Sequence, residues 1–312
     1  MAAAGDSGRL LCVTGASGFI GSWLVRCLLD RGYTVHATVK NLQDEGETKH
    51  LQAMGGADTR LRLFQMDLVD PASVRPAIQG AHGVFHLASP MILQAEDPEK
   101  ELLEPAVKGT LNVLRAAKDC GVGRVVLMSS QAAMVPNPNW PAGKVIDDDS
   151  WADVELLKKL QIWYSVSKTL AERAAWDFAE KEGLQIAVLN PGMVLGPMLT
   201  PSVNTSLRLL LQILGGQSIT VSCCVANLQN MNIYICSHGT KYLKSANYPG
   251  ERLDLDDIYM GCVDVRDVAH SLIMLYENPS AQGRHLCIES VERLVDLANK
   301  IADLYPEHPV QR

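Results

Sequence analysis

Along the first 190 residues, apolar and polar positions switch between two periods. Short apolar runs rich in β-branched side chains recur at Leu10–Val13, Tyr33–Val39, Leu61–Met66, Gly83–Leu87, Arg124–Met128 and Ile186–Leu189. Between them lie helical patterns at Ser17–Asp30, Thr48–Met54, Pro71–Gln79, Pro98–Cys120 and Leu156–Lys181, the first of them stopped by Gly32. This alternation predicts right-handed βαβ units and an α/β fold built on a doubly wound, mostly parallel sheet. Such sheets take ligands beyond the carboxyl ends of their strands, where Gly15, Ser89 and Ser130 fall.

From about Val194 the clean alternation fades, although Asn204–Leu214 again has a helical pattern. The expected division is a nucleotide-binding domain over residues 1–190 and a smaller C-terminal substrate-binding region over 191–312. The chain has 312 residues, enough to bury a substantial core. Its net charge of -7 argues against a dedicated nucleic-acid binder, which needs a basic surface. No signal-peptide pattern opens the sequence, and no apolar run is long enough to span a membrane. The eight cysteines show no paired spacing, which is the usage expected of reduced cytoplasmic thiols. The histidines form no metal-binding pattern, so no metal is expected.

The strongest local signal is Thr14-Gly15-Ala16-Ser17-Gly18-Phe19-Ile20-Gly21, lying between the first strand and the first helix. Gly15 allows the tight turn, Gly18 lets the backbone approach a pyrophosphate at the helix N-terminus, and Gly21 permits close helix–strand packing. Glycines at this spacing mean little alone, but in this context they predict dinucleotide binding. An acidic residue after the second strand would grip the ribose hydroxyls of NAD. Lys40 and Asn41 stand there instead, and a cation suits the 2′-phosphate of NADP(H). After the third strand, Asp67 and Leu68 are placed to approach the adenine, although Asp67 reads equally well as a helix N-cap.

Tyr164 and Lys168 are four residues apart in a helical pattern and share one face. An ammonium beside a phenol favours the phenolate, which makes Tyr164 a candidate general acid or base. The strand-end Ser130 is a candidate to hold a substrate oxygen. Tyr-x-x-x-Lys alone is common surface decoration; the strand-end serine and the glycine turn give it meaning.

Taken together, Val13–Leu24, Gly83–Pro90, Val107–Leu114, Arg124–Ser130, Trp163–Glu172, Asn190–Pro197, Val263–Ala269 and Gly283–Cys287 resemble the blocks of the extended short-chain dehydrogenase/reductases. Within the epimerase/dehydratase superfamily they look most like the plant cinnamoyl-CoA reductase and dihydroflavonol reductase group. The resemblance implies a Rossmann fold, NADP(H) as cofactor and a Ser130, Tyr164, Lys168 catalytic triad. It places Gly15, Ala16, Ser17, Gly18, Phe19, Ile20, Gly21, Lys40, Asp67, Leu68, Leu87, Ala88, Ser89, Ser129, Lys168, Pro191, Gly192, Met193 and Val194 at cofactor contacts. The implied substrate is a small aromatic thioester, aldehyde or ketone of the phenylpropanoid type, including acyl-CoA esters. The expected assembly is a monomer or homodimer in the cytoplasm.

Four features depart from that family pattern. Lys40 replaces an arginine, and Gly46 replaces a lysine. The tyrosine block reads Ile162-Trp163-Tyr164-Ser165-Val166-Ser167-Lys168, like the cinnamoyl-CoA reductase-like members of varied substrate. An unfamiliar segment occupies about residues 217–254, and the chain ends at Arg312 where relatives continue. Two other readings therefore stay open. One is a catalytically impaired NADP-binding protein from an aberrant splice form, and the other is a sugar-nucleotide epimerase or dehydratase.

Overall fold

The computed structural model describes residues 8–90, 95–141, 144–214 and 259–307. The atypical segment at 217–254 lies outside the described residues.

Strands β1 (Leu10–Thr14), β2 (Thr34–Val39), β3 (Leu61–Gln65), β4 (Gly83–His86), β5 (Arg124–Met128), β6 (Ile186–Pro191) and β9 (Gly283–Cys287) form one seven-stranded sheet in the order β3-β2-β1-β4-β5-β6-β9. Every pair in it is parallel. The order reverses beside β1, the switch point at which doubly wound sheets hold ligands. Each of the strands expected in the first 190 residues is present.

Period-two side-chain alternation divides the core between the two sheet faces. Leu11, Val13, Phe85, Val126, Ala187 and Leu189 face one way, against α1 (Phe19–Asp30) and α9 (Val265–Glu277). Cys12, Val84, Val125, Leu127, Ile186 and Val188 face the other way, against α4 (Pro71–Ile78), α5 (Glu104–Asp119) and α7 (Trp163–Glu182). The carboxyl ends of the strands, with both faces covered, are thus left to line a site.

β9 and α9 both lie beyond residue 190, yet they complete this layered unit. The remaining strands β7 (Met193–Leu195), β8 (Tyr259–Asp264) and β10 (Ser290–Arg293) make a three-stranded sheet in the order β10-β8-β7. It is accompanied by α8 (Thr205–Leu214) and α10 (Leu294–Leu304). Among the described residues no helix is long and apolar enough to cross a membrane.

Helix boundaries differ from expectation in three places. α2 (Glu45–Gln52) begins three residues early because the Asp44 side chain caps it, accepting from the Gly46 N–H at 2.8 Å. A π-helical turn at Glu99–Leu103 precedes α5. The single helix expected over Leu156–Lys181 is two helices, α6 (Val154–Lys159) and α7. The break comes at Gln161, which holds a left-handed φ of 58°, a conformation that apolar periodicity does not report.

The aromatic ring of Tyr276, on α9, meets Phe85 at 5.6 Å and Tyr33 edge-on at 6.4 Å between centroids. Tyr33 in turn donates to Glu277 at 2.9 Å. Tyr276 lies so close over β4 that a Cβ at Gly83 would stand 2.2 Å from its ring. Gly83→Ala should therefore displace α9 and lower stability by about 1–3 kcal/mol. Urea unfolding checks this, and an unchanged midpoint would refute the tight seating of α9.

Candidate active site

The glycine turn has the shape expected of a phosphate cradle. Gly15 has φ +69°, and a Cβ there would stand 2.9 Å from the Ala88 backbone; one at Gly21 would stand 2.2 Å from the Gly15 carbonyl oxygen. Side chains at either position would fill the space between the turn and its neighbours. α1 follows an extended Gly18 at its N-cap, with no side-chain cap and no acidic residue in its first turn, so its N–H groups and positive dipole end are left for an anion. These features fit a dinucleotide pyrophosphate. Ser17 is half-buried, while Ala16 and Phe19 are buried and Ile20 packs against the core.

Behind the turn, the Thr14 hydroxyl ties β1 to β4. Its oxygen accepts from the backbone N–H groups of Leu87 and Ala88, each at 3.1 Å, and pairs with His86 Nδ1 at 2.8 Å. A hydroxyl has two lone pairs and one proton, and both lone pairs are taken. Thr14 therefore donates to His86, whose Nδ1 is unprotonated. His86 Nε2–H then faces the Thr110 hydroxyl at 3.3 Å. Leu87, Ala88 and Ser89 thus emerge from β4 beside Gly15.

Ser129 and Ser130 leave β5 on the same sheet edge. The Ser130 Oγ accepts from the Ala132 N–H at 3.1 Å and caps the 3-10 turn Gln131–Ala133, which packs against α7. On α7, the Lys168 ammonium lies 5.9 Å from the centroid of the Tyr164 ring. Lys168 is buried and Tyr164 half-buried. The structure therefore brings Ser130, Tyr164 and Lys168 to one corner of the sheet edge. Pro191, Gly192, Met193 and Val194 pass beside that corner, where the chain leaves β6 for β7.

Lys40 is exposed just past β2, and Asp67 lies past β3. Asp67 is not a helix cap: Asp70 caps α4 by accepting from Ala72 N–H at 3.0 Å. Asp67 instead accepts from the Val69 N–H in a local turn at 3.0 Å. Leu68 lies against Gly109 of α5, and its carbonyl accepts from the Asn112 side chain at 2.9 Å.

Comparison with known proteins adds to this geometry. Residues 11–229 match the model of the NAD dependent epimerase/dehydratase family. A cinnamoyl-CoA reductase, CAD2 of Medicago truncatula, is 40% identical over 96% of this chain and 82% of its own length. The chain belongs to the NAD dependent epimerase/dehydratase family. Within it, this is a nicotinamide-dependent oxidoreductase of the cinnamoyl-CoA reductase-like group. Vestitone reductase from alfalfa superposes with a TM-score of 0.73 at 28% identity, covering 96% of this chain and 83% of that one. Gre2 of Candida albicans in complex with NADPH superposes with a TM-score of 0.73 at 29% identity, covering 97% and 86% of the two chains.

Sequence reasoning missed the group that holds the serines. Glu172, one turn beyond Lys168 on α7, is fully buried, and its Oε2 accepts from Ser129 Oγ at 2.5 Å and from the Asn190 amide at 3.0 Å. The Asn190 amide also donates to the Ser130 carbonyl at 3.1 Å. The other Glu172 oxygen meets Arg284 Nε at 2.5 Å, and the Arg284 guanidinium stacks 3.7 Å from the Trp151 ring centroid. A buried ion pair is stable only when its remaining valences are satisfied, and here the serine, the asparagine and backbone carbonyls satisfy them. The signal was present as Tyr164, Lys168 and Glu172 at four-residue steps. Nothing local marks Arg284 as the partner.

Burial, reinforced by the Lys168 charge, pushes His86 down to about 3 from 6.5. A group so depressed stays neutral when folded and takes up a proton when unfolded, so its contribution to stability is complete above about 6.5 and is lost as pH falls toward 3. Between about pH 7 and about pH 5, the urea midpoint should fall less steeply for His86→Gln than for the unaltered protein. Parallel slopes would show that His86 does not carry this dependence.

Proposed function

We propose that this chain is an NADP(H)-dependent reductase that adds hydride to an aromatic thioester, aldehyde or ketone of the phenylpropanoid type. The observation that carries the reading is the placement of Tyr164 and Lys168 on α7, against the turn that Ser130 caps and on the same sheet edge as the glycine cradle. The sequence similarity to a cinnamoyl-CoA reductase and the structural likeness to a reductase seen with NADPH support it.

On this reading residues 15–21 hold the pyrophosphate on the amino end of α1. Lys40 faces the 2′-phosphate, Asp67 and Leu68 flank the adenine, and Leu87, Ala88, Ser89, Ser129 and Pro191–Val194 line the nicotinamide half. When bound, the dinucleotide supplies the hydride. Ser130 orients the substrate carbonyl through its hydroxyl. Tyr164 gives its phenolic proton to the carbonyl oxygen as negative charge develops there, and the Lys168 ammonium stabilises the phenolate that remains. Lys168 also reaches toward the nicotinamide ribose. Residues 1–190 supply most of the cofactor half, and the segments beyond 190 that form the small sheet supply the substrate half.

Mixing the protein with NADPH and a panel of cinnamoyl-CoA esters, aromatic aldehydes and dihydroflavonols should consume NADPH with at least one class. No turnover of any of them would overturn the reading. With the accepted substrate, Tyr164→Phe should lower kcat by about 10²- to 10⁴-fold while leaving NADPH affinity within about threefold. A variant that keeps its kcat would remove Tyr164 from the role of acid.

A further inference from the structure

At the end of β2, where the second strand approaches the adenosine ribose in a doubly wound fold, the chain carries an anion of its own. The Glu47 carboxylate, on the first turn of α2, turns back to the strand end. One oxygen, Oε2, accepts from the backbone N–H of Lys40 at 2.6 Å and from that of Asn41 at 3.2 Å. Two successive amides converging on one oxygen form a small anion-binding nest. The nest lies beside the glycine turn, since the Gly15 and Ala16 N–H groups bond to Thr38 two residues upstream of Lys40.

Glu47 is held there from several directions. Asp44 caps α2, and His50 on the next turn bonds to Ser22 of α1 at 2.9 Å. α2 is thus tied to α1, and one oxygen of the half-buried Glu47 carboxylate meets the strand-end amides at the protein surface.

We infer that Glu47 sets cofactor selectivity: its carboxylate occupies the Lys40–Asn41 amides that a 2′-phosphate would otherwise use, and so narrows the preference for NADPH over NADH. This rests on the cofactor reading above. A 2′-phosphate arriving at Lys40 must either displace Glu47 from the amides or sit beside a like charge, and both penalise it. A ribose carrying a 2′-hydroxyl meets no such penalty, because a carboxylate at this point accepts from a hydroxyl. Glu47 thereby supplies from α2 the acidic group that the sequence lacks directly after β2.

The test is equilibrium binding without any substrate. Affinities for NADPH, NADH, 2′,5′-ADP and 5′-AMP are measured by calorimetry for the full chain and for Glu47→Gln, which keeps the shape but removes the charge. Glu47→Gln should bind NADPH and 2′,5′-ADP about tenfold tighter, the worth of one charge-assisted contact, with NADH and 5′-AMP unchanged or weaker. Glu47→Ala should move the ratio in the same direction, which separates charge from any loosening of the loop. An unchanged NADPH-to-NADH ratio in both variants, with NADPH binding the unaltered protein normally, would overturn the role of Glu47 alone. Failure of the unaltered protein to bind either dinucleotide would overturn the cofactor reading, and this inference with it.

Discussion

The candidate site depends on how closely two strand ends can approach. Gly15 and Ala88 lie backbone to backbone because Gly15 has no Cβ, and the Thr14 hydroxyl spends its full hydrogen-bonding capacity on holding that approach. With both lone pairs given to the N–H groups of Leu87 and Ala88, the single proton must go to His86. One hydroxyl therefore determines where the glycine turn meets the loop after β4 and which nitrogen of a buried histidine is bare. An imidazolium at that point would face a donor with no lone pair to offer, with the Lys168 charge nearby. The neutral histidine is thus part of the same constraint as the turn.

A second fixed point stands on the other flank. Glu172 and Arg284 form a buried pair that reaches Ser129, Asn190, Trp151 and the backbone of the 144–150 stretch. Each group supplies a valence that another needs, so the cluster behaves as a single brace behind Ser130 and not as separate bonds. It joins α7, β5, β6 and β9, which places a late strand of the chain directly behind the proposed chemistry.

Much of this was legible beforehand, for physical reasons that differ by feature. The strands of the parallel sheet are buried on both faces, so they stand out as continuous apolar runs, and the glycine turn was recognisable from its place between the first strand and the first helix. The break at Gln161 was not legible, because a left-handed residue leaves no mark on apolar spacing. The brace escaped because its partners, Glu172 and Arg284, are 112 residues apart, and each taken alone looks like an ordinary surface charge. Glu47 escaped for a related reason. An acidic residue is expected directly after β2, whereas this carboxylate arrives from the following helix. Asp67 was visible but ambiguous, and Asp70 took the capping role through its spacing to Ala72.

The break at Gln161 also changes what Tyr164 is. In one continuous helix from Leu156 it would sit in the third turn, electrically unremarkable. Because α7 begins afresh at Trp163, Tyr164 occupies the opening turn of a 20-residue helix, and Lys168 stands one turn inside. Helical Cα–Cβ bonds lean toward the amino end, where the first peptide N–H groups have no carbonyl partner within the helix. An oxyanion in that position gains about 0.3–1 kcal/mol from the aligned peptide dipoles, in addition to what a neighbouring ammonium provides. On the proposed reading, a single backbone kink thus gives a phenolate at Tyr164 a second source of stabilisation beside Lys168.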